Sequence, residues 1–112
     1  MEGCLFCGIV AGDVDAEVVH VTERTVAFRD VNPQAPTHVL VVPRDHYANA
    51  ADLAAGDPTA SAELVTSAAA VAAAEGLDDY RLVLNTGAAA GQSVFHTHLH
   101  LLAGRPFTWP PG

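Results

Sequence analysis

Three imidazoles in a row open the chemistry of this chain. The segment His96-Thr97-His98-Leu99-His100-Leu101-Leu102 places a histidine at every second position. In a β-strand successive side chains alternate between faces, so His96, His98 and His100 share one face while Thr97, Leu99 and Leu101 share the other. Successive members of such a row sit roughly 7 Å apart along the strand. Imidazoles so spaced suit either a metal ion or the successive atoms of a phosphate. A solvent-facing polar row is the plain alternative, and three of the chain's six histidines in register weigh against it. Just upstream, Gly91-Gln92-Ser93 lies in a Gly-flanked loop that can offer backbone N–H groups and a hydroxyl to an anion.

A second constellation is Cys4-Leu5-Phe6-Cys7. Two cysteines at this spacing form half of a zinc site, a redox pair, or a coincidence. A thioredoxin-like redox motif needs a following βαβ pattern, which the next residues do not supply. Two further ligands are needed to close a tetrahedral site.

These residues must be positioned by a small protein. The chain has 112 residues, half of them hydrophobic and 16% charged, which suits one domain spanning 1–112 with a real core. Five Arg, no Lys and thirteen acids give a net charge of −8, which disfavours sequence-independent nucleic-acid binding but not a small nucleotide. No stretch reaches the ~18 apolar residues of a spanning helix, and the first residues lack a signal pattern. A cytoplasmic protein without membrane attachment is expected, with its thiols reduced.

Cys4 to Gly12 suits a helical turn or two. Residues 17–22 and 25–29 are β-branched runs around Glu23-Arg24 and predict a hairpin, and the Pro-rich 32–36 predicts a loop. His38–Val42 predicts a buried strand. Asp57-Pro58 is a helix start, with Asp as N-cap and Pro at the first position, and Gly76 stops the helix. Leu64, Val65, Ala68 and Val71 provide its apolar stripe. Strands are predicted at 80–85 and 96–102. The expected fold is α+β, an antiparallel sheet of about five strands with one main helix. Such a layer leaves apolar surface over, so a homodimer that extends it is expected.

In combination these segments carry a resemblance. His-Thr-His-Leu-His-Leu-Leu is similar to the histidine triad of the HIT family of nucleotide hydrolases and transferases. Residues 30–38, Gly91-Gln92-Ser93-Val94-Phe95 and the ending Gly104–Gly112 resemble its Hint branch, so the likeness spans essentially the whole chain. Thr97 departs from the pattern where an apolar residue is usual, and its effect is expected in packing alone.

The resemblance implies a purine nucleoside 5′-phosphoramidate hydrolase, with dinucleoside polyphosphate hydrolysis or a nucleotide-binding interaction protein as alternatives. It implies that His98 attacks the α-phosphorus and that His100 contacts phosphate oxygens. Ser93 then lies near the leaving group or bridging oxygen, and His38 supports the triad from behind. It further implies that Asp30 accepts the ribose hydroxyls, that Phe28 and Val31 flank the base, and that Asn85, Gly91, Gln92 and Val94 border the phosphate. Trp109 is implied in the leaving-group pocket of a partner subunit. Pro43-Arg44-Asp45-His46 matches the step that supplies a further metal ligand, so the resemblance implies structural Zn²⁺ on Cys4, Cys7, His46 and His96.

Overall fold

The protein, described over residues 2–112 by a computed structural model, is an α+β fold around one five-stranded antiparallel sheet. In chain order its elements are α1 (Leu5–Ala11), β1 (Val18–Val21), β2 (Thr25–Arg29), β3 (Thr37–Pro43), α2 (Ala50–Gly56), α3 (Pro58–Ala74), β4 (Arg81–Val83), a 3₁₀ turn (Ala88–Ala90) and β5 (Leu99–Ala103). The sheet order is β1-β2-β3-β5-β4. β5 is thus inserted between β3 and β4, which places His100 beside the central strand.

Strand parity divides the molecule into two faces. On one, Ala27, Val39, Val41, Leu99 and Leu101 pack with Leu64, Ala68 and Val71 of α3 and Leu53 of α2. On the other, Val26, Phe28, Leu40 and Val42 meet Phe6 of α1. This alternation is why His100 stands opposite the helical face: its neighbours Leu99 and Leu101 are almost wholly buried under α3. Thr25 also faces α3, and its hydroxyl lies 2.8 Å from that of Ser67 inside the core.

The anticipated start of α3 is present, with the Asp57 carboxylate accepting from the Ala60 N–H at 3.0 Å and Pro58 in the first turn. Several expectations need correction. The stripe of α3 runs through Ala60, Leu64, Ser67, Ala68, Val71 and Ala72, whereas Val65 is half exposed. Helix α2 was not anticipated, because its alanines carry no strong periodic signal. Its N-cap is Asn49, whose side chain accepts from the Asp52 N–H. β4 is three residues long instead of six, so Asn85 lies beyond it. β5 begins at Leu99, so His96 and His98 precede the regular strand in irregular backbone. Thr97 forms no ladder pair there; its N–H and hydroxyl both donate to the Tyr47 carbonyl, at 2.7 and 3.0 Å.

Candidate active site

The register of β3 against β5 pairs Leu40 with His100 and His38 with Leu102. His38 and His100 are therefore diagonal neighbours on one face, within reach of each other's rings. His38 Nε2 lies 2.9 Å from His100 Nδ1.

Backbone groups set the tautomers, which follow from who must donate to whom. The Gln34 N–H donates to His38 Nδ1 at 3.0 Å, so a neutral His38 carries its proton on Nε2. That N–H donates to His100 Nδ1, which leaves the His100 proton on Nε2. Among the described residues no group hydrogen-bonds to His100 Nε2, although it is buried. It is a fixed donor aimed at something outside the chain. His98 is set the opposite way round. Its Nδ1 lies 2.8 Å from the His96 carbonyl and donates to it, leaving the Nε2 lone pair free. The rings of His98 and His100 are 4.9 Å apart, closer than strand spacing alone gives, because the side chains lean together. One nucleophilic nitrogen and one N–H donor thus stand side by side.

Burial favours the neutral forms of His38 and His100. His100 is pushed down to about 4, chiefly by burial and then by the charges of His98 and His38, with Asp30 opposing. His38 is lowered by burial, and Asp30, whose carboxylate lies 3.4 Å from His38 Nε2, partly offsets this. Asp30, His38 and His100 could be taken for a metal triad. The His38 tautomer argues otherwise, because its lone pair is already committed to the Gln34 N–H and its Nε2 must donate.

The two triad residues open on a cavity of about 330 Å³, a size that suits a small ligand. Phe28, Asp30, Val31, Ser93 and Val94, all named through the resemblance, line it with His98 and His100. Leu5, Phe6 and Ile9 of α1, Val14, Asp15, Ala16 and Leu40 also line it and were missed. They are mostly ordinary apolar residues whose role comes only from α1 folding over the sheet.

Other anticipated residues stand elsewhere. Gln92 is buried and its side chain knits its own loop. Its Oε1 accepts from the Gly87 N–H at 2.9 Å, and its amide donates to the carbonyls of Ala48 and Val94 at 2.7 and 3.1 Å. Gly87 and Gly91 take positive φ in the same loop, which glycine permits without strain. Gly91 and Asn85 adjoin each other there, outside the cavity lining. Trp109 is 84% exposed and does not reach the cavity of its own chain.

The second constellation assembles beside the first. Cys4 and Cys7 flank the start of α1, and their donor atoms lie within 4.8 Å of those of His46 and His96. Cys7 Sγ is 3.4 Å from the Nδ1 atoms of both His46 and His96, Cys4 Sγ is 3.5 Å from His96 Nδ1, and the two Nδ1 atoms are 3.2 Å apart. A tetrahedron with Zn–S of about 2.3 Å and Zn–N of about 2.0 Å has N···S edges of about 3.5 Å and an N···N edge of about 3.3 Å. Four of the six edges of the donor set therefore match such an ion, and the other two lie within 4.8 Å. His96 Nε2 donates to the Pro43 carbonyl at 2.9 Å, which directs its Nδ1 lone pair at the sulfurs. Burial, and then Cys4, push the Cys7 thiol up.

The family model for the HIT domain matches residues 11–107. The chain belongs to the HIT family. The crystal structure of a HIT family hydrolase from Legionella pneumophila superposes with a TM-score of 0.93 at 47% identity, covering 98% of this chain and all of that one. The purine nucleoside phosphoramidase of Escherichia coli is 39% identical over 107 residues, 94% of this chain and 90% of the relative. The 14 kDa zinc-binding protein of Zea mays is 42% identical over 111 residues, 96% and 87% of the two chains. The HIT histidines of this chain thus divide their labour: His96 faces the cysteines, while His98 and His100 face the cavity.

Proposed function

We propose that this HIT-family hydrolase cleaves the P–N bond of purine nucleoside 5′-phosphoramidates. The observation that carries the reading is the pair of opposed tautomers at one cavity, a free Nε2 lone pair on His98 beside a free Nε2–H on His100. The base and ribose occupy the apolar cavity between Phe28 and Val31, with Asp30 accepting the ribose hydroxyls. His98 Nε2 attacks the phosphorus, the P–N bond breaks, and the amine leaves after taking up a proton from solvent, with Ser93 of the cavity lining to hydrogen-bond it. His100 Nε2–H donates to a non-bridging oxygen, where negative charge grows in the transition state. Water then attacks phosphorus, the P–N bond to His98 breaks, and the nucleoside monophosphate departs while the water's second proton goes to solvent.

Cys4, Cys7, His46 and His96 would hold Zn²⁺ in a structural role, since four protein ligands leave no open position for substrate. The exposed Trp109-Pro110-Pro111-Gly112 tail is the segment through which a homodimer would complete each site from the partner. A cytoplasmic setting, where thiols stay reduced, suits this ligand set.

The test is AMP release from adenosine 5′-phosphoramidate by wild type and His98→Ala, purified side by side. Release by wild type that disappears in the variant supports both reaction class and nucleophile. No release by wild type refutes the phosphoramidase reading, and equal release refutes His98 as nucleophile.

A further inference from the structure

The helix that carries both cysteines is also a wall of the cavity. Cys4 and Cys7 bracket Phe6, and Phe6 is 5% exposed with its ring edge-to-face on His98, centroids 4.9 Å apart and planes at 79°. The same ring meets His96 at 6.0 Å and Phe28 at 5.5 Å. It is thus the common neighbour of a metal-facing histidine, the nucleophilic histidine and a cavity aromatic.

What holds α1 in place is limited. Among the described residues no backbone hydrogen bond joins it to the sheet; those outside its regular turns stay within Cys4–Val14. Its attachments are the apolar contacts of Phe6, Ile9 and Val10 and the approach of the two sulfurs to His46 and His96. Seven residues alone do not make a stable helix. Cys4 Sγ even serves as the N-cap, accepting from the Cys7 N–H at 3.4 Å. A cation on the four donors would therefore fix the helix start, its distance from the sheet, and Phe6 against His98.

We infer that Phe6 is a positioning residue that couples the Cys4–Cys7–His46–His96 centre to the nucleotide site, so that metal and nucleotide strengthen each other's binding. The inference rests on the nucleotide reading of the cavity. The physical basis is shared ordering: whichever ligand arrives first settles α1, and the second no longer bears that cost. Linkage requires the effect to be reciprocal and equal in factor. Couplings of this kind run about 5- to 150-fold, and a single two-turn helix places this one near the lower end, about tenfold.

The experiment starts from zinc-loaded protein. Transfer of Zn²⁺ to a chromogenic chelator is followed at equilibrium with and without saturating AMP, and AMP affinity is measured by calorimetry on the same samples. AMP should raise zinc affinity about tenfold. Phe6→Ala keeps all four donors; because Phe6 also lines the cavity, AMP is added to saturation by the variant's own calorimetric affinity, and zinc affinity should then change less than twofold. Phe6→Leu, which refills most of the volume, should restore part of the coupling. Zinc affinity indifferent to bound AMP in wild type overturns the inference while leaving the nucleotide reading intact. Undiminished coupling in Phe6→Ala overturns the role of Phe6. Failure of AMP to bind wild type at all refutes the nucleotide reading itself, and with it the coupling.

Discussion

Replacing His38 by Asn separates the histidine relay from the fold that carries it. Asn places its carbonyl near the position of the imidazole Nδ1, so it can still accept the Gln34 N–H, but it is too short to donate to His100. The hydrogen bond removed is the 2.9 Å contact from His38 Nε2 to His100 Nδ1. Leaving a buried acceptor unsatisfied costs about 1–3 kcal/mol. His100 can escape that cost by moving its proton to Nδ1, which turns Nε2 from donor into acceptor against a phosphate oxygen. Either way the transition state loses an interaction of this size, so kcat/KM should fall about 5- to 150-fold at 1.4 kcal/mol per tenfold. His38→Gln extends one atom further, towards the Nε2 position, and its amide can donate to His100. It should recover part of the loss. The assay is kcat/KM for AMP release from adenosine 5′-phosphoramidate by the three proteins, with circular dichroism establishing that each is folded. Wild-type activity in folded His38→Asn, or a Gln variant no better than Asn, would refute the relay.

Other expectations follow from the same geometry. Because the folded protein holds His100 at about 4 while an unfolded histidine titrates near 6.5, the unfolded chain takes up the proton first as pH falls. The stability that neutral His100 contributes is whole above pH 6.5 and is lost between there and about 4, about 3 kcal/mol in all. Urea unfolding of wild type should therefore fall more steeply with acid than that of His100→Gln, and parallel curves would sink the assignment. Cys7→Ser should reduce zinc to well below one ion per chain by elemental analysis and lower the thermal midpoint, with chelation doing the same to wild type. Gln92→Ala removes three hydrogen bonds around the 87–94 loop and should speed amide exchange there, with kcat falling more than global stability. Unchanged exchange would show that the loop is held by something else.

The chemistry-bearing residues of this chain could be picked out from their types and spacing. His98 and His100 are marked by alternation, and the helix from Pro58 by its Asp-Pro start. The hairpin at Glu23-Arg24 is marked by β-branched runs, and β2 and β3 appear within a residue or two. Those signals are local: a period of two, an N-cap, a rigid proline. Sequence patterns of this kind report what the backbone does over a few residues, which is why the five-stranded α+β architecture was legible. Where local preference is weak, legibility ends. The alanines of α2 and the short β4 owe their states to neighbours, and β5 starts at Leu99 because Thr97 is held by Tyr47, fifty residues away.

Tertiary contacts decided where the His100 proton sits. The carbonyl that takes the His98 Nδ1–H is only two residues away, but nothing in His-x-His-x-His says that His100 keeps its proton on Nε2. That follows from Gln34, His38 and the register of β3 against β5, contacts that span four to sixty-two residues. The role of α1 was equally hidden. Phe6 between two cysteines is an apolar residue in sequence; it becomes a cavity wall and a neighbour of His98 only once long-range packing lays that helix on the sheet. Composition and spacing choose the reactive groups, whereas the direction of each lone pair and the walls around it come from contacts distant in the chain, which a linear pattern does not encode.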